Sequence, residues 1–174
     1  MRILEQIKET FVDGTGIRYS IYVSGCEKHC PECHNPQSWD FNNGCELTDD
    51  VMESIKSDYK QNPLLNGFTI LGGEPFHPRN RDGLVKLITG LRSLTTDIWI
   101  YTGYTLEELL AEEDARVVFV LSRTHILVDG PYKKELKTTD EPFIGSSNQR
   151  LIRTHDMALD SRLKAVYVDV YTIK

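Results

Sequence analysis

Runs of β-branched and aromatic residues alternate with amphipathic helical patterns along most of this chain, and that alternation most limits its fold. The first clear run is Arg18–Ser24, where Tyr19, Ile21 and Val23 share one face. Thr48 then reads as an N-cap, with Asp49 and Asp50 in the first turn, where carboxylates suit the helix dipole. Val51, Met52, Ile55 and Tyr59 fall on one helical face, and Asn62-Pro63 ends that pattern. Gly67–Leu71 is a second apolar strand, closed by Gly72-Gly73-Glu74-Pro75. Leu84, Leu87, Ile88, Leu91 and Leu94 have helical spacing, and Asp97–Tyr101 is a third strand. Thr105 with Glu108 forms a capping box ahead of Leu106, Leu109 and Leu110. For residues 115–122 composition favours strand, but the rhythm asks for a helix before the next strand, His125–Asp129; helix is the reading adopted. Residues 1–11 are amphipathic without a clear assignment, and Asp13-Gly14-Thr15-Gly16 is a turn. Gln149–Ile152 and Ala165–Val170 have the composition of further strands.

This alternation predicts a parallel sheet with crossover helices in an α/β domain spanning residues 1–174. Functional loops of such sheets gather at the C-terminal ends of the strands. The unusual sequences sit there: a cysteine-rich loop after the first strand, Gly72–Pro75 after the second, Thr102-Gly103-Tyr104 after the third and Asp129-Gly130 after the fourth.

The cysteine-rich loop, Ser24–Pro36, reads SGCEKHCPECHNP. Cys26, Cys30 and Cys33 form a Cys-x3-Cys-x2-Cys array, which points to metal rather than to disulfides. A structural zinc ion would need a fourth donor, which Cys45, His29 or His34 would supply. The extra Cys-x3 step and the position at a sheet edge favour an iron–sulfur cluster. Three thiolates would then leave one iron of a cubane without a protein ligand. Cys45 reads as a free thiol in a turn, the alternative being a fourth cluster ligand. Gly72 and Gly73 would let a ligand approach the backbone, and Glu74 has the chemistry to accept from an ammonium group. His34 and Asn35 would stack on or hydrogen-bond to a bound base. His77 reads as a loop-shaping residue, Trp39 and Trp99 as packing residues, and Gly145–Gln149 as a polar loop.

Composition narrows the class further. The net charge of −6 argues against a general nucleic-acid binder. Arg2, Glu5, Lys8 and Glu9 break up the N-terminus, which therefore lacks the apolar core of a signal peptide, and no run is long enough to span a membrane. The expectation is a cytoplasmic protein. No acid–base dyad or nucleophilic triad stands out, as expected where a cofactor carries the difficult step.

With these residues in view, the sequence resembles the radical S-adenosylmethionine enzymes, and within them the family of activating components of anaerobic (class III) ribonucleotide reductases. The resemblance rests on DGTGIR at 13–18, SGCEKHCPECHNPQSW at 24–39, LGGEPFHP at 71–78, DIWIYTGYT at 97–105, ILVDGPY at 126–132 and GSSNQR at 145–150. It implies a [4Fe–4S] cluster on Cys26, Cys30 and Cys33, with S-adenosylmethionine chelating the fourth iron. It places Glu74 near the cofactor's amino group, counts Gly73 of the same motif among the cofactor-binding residues, and sets Glu32, Cys33 and His34 along the adenine. Glu32 stands where many members carry an aromatic residue, and Thr15 where a proline is frequent. The implied fold is a partial, open (β/α) barrel of six or fewer parallel strands, with the site at their C-terminal ends. The implied activity is reductive cleavage of S-adenosylmethionine to a 5′-deoxyadenosyl radical, which generates a glycyl radical on the large reductase subunit. A flavodoxin-like protein would donate the electron. The alternatives are an activase of another glycyl-radical enzyme, such as pyruvate formate-lyase, and a non-catalytic zinc or electron-transfer module.

Overall fold

The computed structural model describes residues 1–154 and 169–170. Among the described residues, one open mixed sheet is flanked by four α-helices. The strands are β1 (Arg2–Thr10), β2 (Arg18–Val23), β3 (Cys45–Glu46), β4 (Gly67–Gly72), β5 (Ile98–Tyr101), β6 (Ile126–Asp129), β7 (Arg150–Arg153) and β8 (Asp169–Val170). The helices are α1 (Asp49–Gln61), α2 (Arg81–Leu91), α3 (Leu106–Ala111) and α4 (Ala115–Leu121). The spatial order is β3-β1-β2-β4-β5-β6-β7-β8.

Only the centre of this sheet is parallel: β2 pairs with β4, β4 with β5 and β5 with β6. Both flanks are antiparallel. The α/β class and the open sheet agree with the sequence reading, whereas a sheet of six or fewer, all parallel strands does not. The reason lies in the connections. A parallel return needs a crossover of a dozen or more residues, usually helical. Residues 11–17 between β1 and β2 are too few, and residues 130–149 between β6 and β7 hold no α-helix. The unassigned N-terminus is strand β1. Register shifts between Ile3 and Glu5 and between Ile7 and Thr10 break its two-residue period, which hides it in the sequence. Of the expected strand Ala165–Val170, only Asp169–Val170 lies within the described residues.

The steps β2→β4, β4→β5 and β5→β6 all run in one direction, so right-handed crossovers put their helices on one face. Met52 and Ile55 of α1, Leu84, Leu87, Ile88 and Leu91 of α2, Leu106 and Leu109 of α3, and Val117, Val120 and Leu121 of α4 pack there. They meet Tyr19, Ile21 and Val23 of β2, Phe68 and Ile70 of β4, Ile98 and Ile100 of β5 and Leu127 of β6. The alternate residues Trp99, Ile126, Val128 and Leu151 face the other way, with Tyr101, Phe143 and Ile144 packed on them. The segment after β6 therefore covers the second face.

Residues 115–121 are helical despite their strand-like composition. Asp114 caps α4 by accepting from Arg116 N at 2.8 Å, and also accepts from Nη1 of the buried Arg81 at 2.9 Å. The hydrogen bond from the Arg116 side chain is the largest influence holding the Asp114 carboxyl well below the usual carboxylate range. Asp114→Ala is expected to cost about 2 kcal/mol, from the lost cap and a weakened partner set on Arg81. A carboxyl whose folded pKa is depressed stabilises above its unfolded value and loses that contribution below it. The gap in melting temperature between the parent and Asp114→Ala is therefore expected to narrow as pH falls below about 4.

Candidate functional site

The loops that follow β2, β4, β5 and β6 converge beyond the C-terminal ends of the parallel strands. The root of the cysteine loop is pinned by Gly25 N to Ser38 O at 2.7 Å and Cys26 N to Trp39 O at 3.2 Å. Inside it, Cys33 N donates to Cys30 O at 3.1 Å and Asn35 N to Cys33 Sγ at 3.4 Å. His29 and Glu32 take positive φ of 45° and 57°, so the loop winds tightly through conformations that cost non-glycine residues energy. The β4 loop docks on this root, with Gly73 N donating to Val23 O at 2.8 Å and Glu74 N to Gly25 O at 2.9 Å. Gly72 turns the chain at φ 103°, and a Cβ on Gly73 would lie 2.8 Å from Gly25 O. The paired glycines thus serve the approach of two loops to each other.

A cavity of about 480 Å³ opens among these loops. Cys26, Cys30, Cys33, His34 and Asn35 line it from the cysteine loop, and Gly72, Gly73 and Glu74 from the β4 loop. Thr102, Gly103, Gly130 and Tyr132 line it from the loops after β5 and β6, and Asp13 and Tyr22 line it as well. All three thiols are free and half-buried. Burial pushes the Cys26 thiol up, opposed by the Lys28 backbone N–H and reinforced by Glu74 and the other two cysteines. Burial and then Cys33 push the Cys30 thiol up, opposed by the Lys28 charge.

Glu74 is 1% exposed and is held by three donors. Oε1 accepts from Thr102 Oγ1 at 2.7 Å and Phe76 N at 3.0 Å, and Oε2 from Gly103 N at 2.8 Å. Burial raises its pKa, with those donors and Lys28 opposing. Asp13 Oδ2 accepts from Ser20 Oγ at 2.7 Å and Tyr22 OH at 3.3 Å. Burial, then Asp13, pushes the Tyr22 phenol up to about 12, so the phenol stays protonated and donates.

Residues 12–152 match the family model described as a 4Fe-4S single cluster domain. The anaerobic ribonucleoside-triphosphate reductase-activating protein of Escherichia coli (strain K12) is 36% identical over 141 residues, covering 79% of this chain and 89% of that one. The protein of the same name from Haemophilus influenzae is 34% identical over 157 residues, 88% of this chain and 98% of its own. That of Enterobacteria phage T4 is 32% identical over 143 residues, 81% and 86% respectively. The chain belongs to the anaerobic ribonucleoside-triphosphate reductase-activating protein family.

The cavity fits the cluster that the family model names. A polynuclear cluster takes one thiolate per iron, so its ligands surround a space instead of meeting at a point. Three thiols of one loop line a shared cavity, with a backbone N–H already directed at the Cys33 sulfur. Cys45 lies exposed on the edge strand β3, paired with Ile3 and outside the cavity lining.

Other sequence expectations for this family meet a more specific arrangement. Glu32 does not line the cavity; its exposed carboxylate pairs with Lys134. His34 does line it and faces Tyr132, with ring centroids 5.1 Å apart. His77 shapes its loop by accepting from Arg79 N at 3.2 Å and pairing with Glu27. Gln149 and Asn148 tie down the β6 loop: Gln149 Nε2 donates to Gly130 O at 3.1 Å, and Asn148 Nδ2 to Pro131 O at 2.8 Å. Sequence reasoning missed Asn80. It precedes α2 as an N-cap asparagine would, but it makes no side-chain cap bond. Its buried Nδ2 donates instead to Ser24 O at 2.9 Å and Glu74 O at 3.0 Å, joining the cysteine loop to the β4 loop.

Proposed function

We propose that this chain is the activating enzyme of an anaerobic ribonucleotide reductase, a cytoplasmic radical S-adenosylmethionine protein that generates a glycyl radical on the large reductase subunit. The observation that carries this reading is the three-thiol cavity at the ends of β2, β4, β5 and β6, in a chain of this family. When bound, the reduced [4Fe–4S] cluster and S-adenosylmethionine supply methionine and a 5′-deoxyadenosyl radical able to take a hydrogen atom from the reductase glycine. Cys26, Cys30 and Cys33 hold three irons. Cys33, His34, Gly73 and Glu74, which line the cavity, would contact the cofactor, and Glu32 anchors the cysteine loop through Lys134. Glu74 keeps lone-pair capacity on Oε2 after its three hydrogen bonds, which suits an ammonium group. The parallel strands act as an open partial (β/α) barrel that leaves the cavity accessible to a protein segment. A flavodoxin-like protein supplies the electron.

The cavity edge supports a protein substrate. Phe11 and Val12, at the tip of the β1–β2 connection, are 68% and 74% exposed, and Val12 lines the cavity. Adjacent apolar residues of this exposure suit a partner surface. Phe11→Ser is expected to raise the half-saturating concentration of reductase about tenfold, the effect of losing one interface hot spot. The reference is S-adenosylmethionine cleavage measured without reductase. The whole reading is tested by reducing anaerobically reconstituted protein with dithionite and quantifying 5′-deoxyadenosine. The large reductase subunit is then added and its glycyl radical sought by electron spin resonance. A protein with a full cluster that releases no 5′-deoxyadenosine sinks the proposal.

A further inference from the structure

Lys28 lies between Cys26 and Cys30 in sequence, but its side chain crosses to another loop. Its Nζ sits 3.8 Å from the centroid of the Tyr104 ring. Its stem passes over Gly103 so closely that a Cβ there would lie 2.5 Å from Cδ and 2.9 Å from Cε. Gly103 is also the residue whose N–H donates to Glu74 Oε2. The ammonium is thereby held on the loop that also binds the buried carboxylate, and Lys28 shares the cavity lining with the three cysteines. Cation–π attraction offsets part of its lost hydration. Tyr104 packs against the main core, which fixes the ring and the charge above it.

Among the described residues, Lys28 is the one lysine or arginine lining the cavity. Among the described residues, the acids on the same lining are Asp13 and Glu74, and the three cysteines would add negative charge as thiolates. Each added electron must enter against that charge, in surroundings that screen it less than water. Net charge is one of the terms that set a cluster's reduction potential.

We propose that Lys28 is the residue that raises the reduction potential of the cluster held by Cys26, Cys30 and Cys33, by fixing a positive charge on the Gly103–Tyr104 loop. This rests on the function proposed above only for the presence of the cluster. Lys28 acts through the cluster and is a positioning residue in the electrostatic sense. The step it assists adds one electron to the cluster and oxidises an external donor by one electron, dithionite in the test.

The test is a redox titration of anaerobically reconstituted protein without S-adenosylmethionine, following the reduced cluster by electron spin resonance. Lys28→Met keeps the stem over Gly103 and removes the charge. It is expected to lower the midpoint potential by about 59 mV, a tenfold change in a one-electron equilibrium. Lys28→Arg should hold the parent value. A full-iron Lys28→Met protein with the parent potential overturns the proposal alone, and a parent chain that takes up no iron overturns it together with the function. If Lys28→Met loads incompletely, Tyr104→Leu carries the test. Freeing the ammonium there must also lower the potential, and an unchanged value counts against the proposal.

Discussion

Replacing Cys30 with alanine is expected to abolish both cluster binding and S-adenosylmethionine cleavage while leaving the fold in place. Two thiols of the array would remain, and neither Cys45 nor His29 is placed to substitute, while His34, which lines the cavity, is turned to the Tyr132 ring and brings an imidazole where the array supplies a thiolate. Cys45 is exposed on β3 outside the cavity, and His29 packs edge-on against Trp39 with centroids 4.6 Å apart. Fold stability should change by no more than about 0.5 kcal/mol, because Cys30 is a half-buried loop residue outside both apolar clusters. Iron and sulfide analysis, 5′-deoxyadenosine yield and thermal melting of the apoprotein check the three parts separately. Cys45→Ala is the paired control and should keep the full cluster and parent cleavage. Cleavage retained by Cys30→Ala, or a cluster lost in Cys45→Ala, would reverse the ligand assignment.

The same contrast shows which parts of the molecule local chemistry made legible. The cysteine spacing, the capping box at Thr105 and Glu108, and the N-cap at Thr48 are short-range signals, and the structure contains them. Residues 115–122 needed the rhythm of the chain, because Val117, Val118, Phe119 and Val120 look like strand when read alone. Their helix is set by its Asp114 cap and by packing on the sheet. Strand β1 was illegible because its bulges shift side chains between faces. The antiparallel flanks depend on connection length more than on strand composition, so a pattern that predicts strands does not by itself predict their direction.

The site divides in the same way. The glycines after β4 were readable as special, but their reason was not. Gly73 accommodates the backbone at Gly25, from a loop distant in sequence. Glu74 was readable as an acceptor, while its three donors come from Phe76, Thr102 and Gly103. Glu32 had a neighbour, Lys134, that no spacing rule links to it. What the sequence hides here is cross-loop partnership, in which each residue has an ordinary local reading and a different long-range role.

Asn80 is the sharpest case, and its replacement carries the second large effect. Asn80→Ala should lower stability by about 2–3 kcal/mol, since Ser24 O loses a buried donor and the amide leaves a void. Glu74 O is less affected because it keeps the His77 N–H at 3.1 Å. For a chain of this length the melting temperature should fall by about 5–10 °C. The cysteine loop and the β4 loop would also lose a shared anchor, so S-adenosylmethionine cleavage should drop by about 10–100-fold, as for other residues that orient metal ligands from behind. Asn80→Asp separates this role from capping. Aspartate caps a helix as well as asparagine does, so a capping residue would tolerate the change. A bridging donor would not, because a carboxylate at neutral pH has no N–H to give and would face the carbonyls of Ser24 and Glu74. Asn80→Asp is therefore expected to melt at least as low as Asn80→Ala; parent-like stability would return Asn80 to the helix cap and remove it from the site.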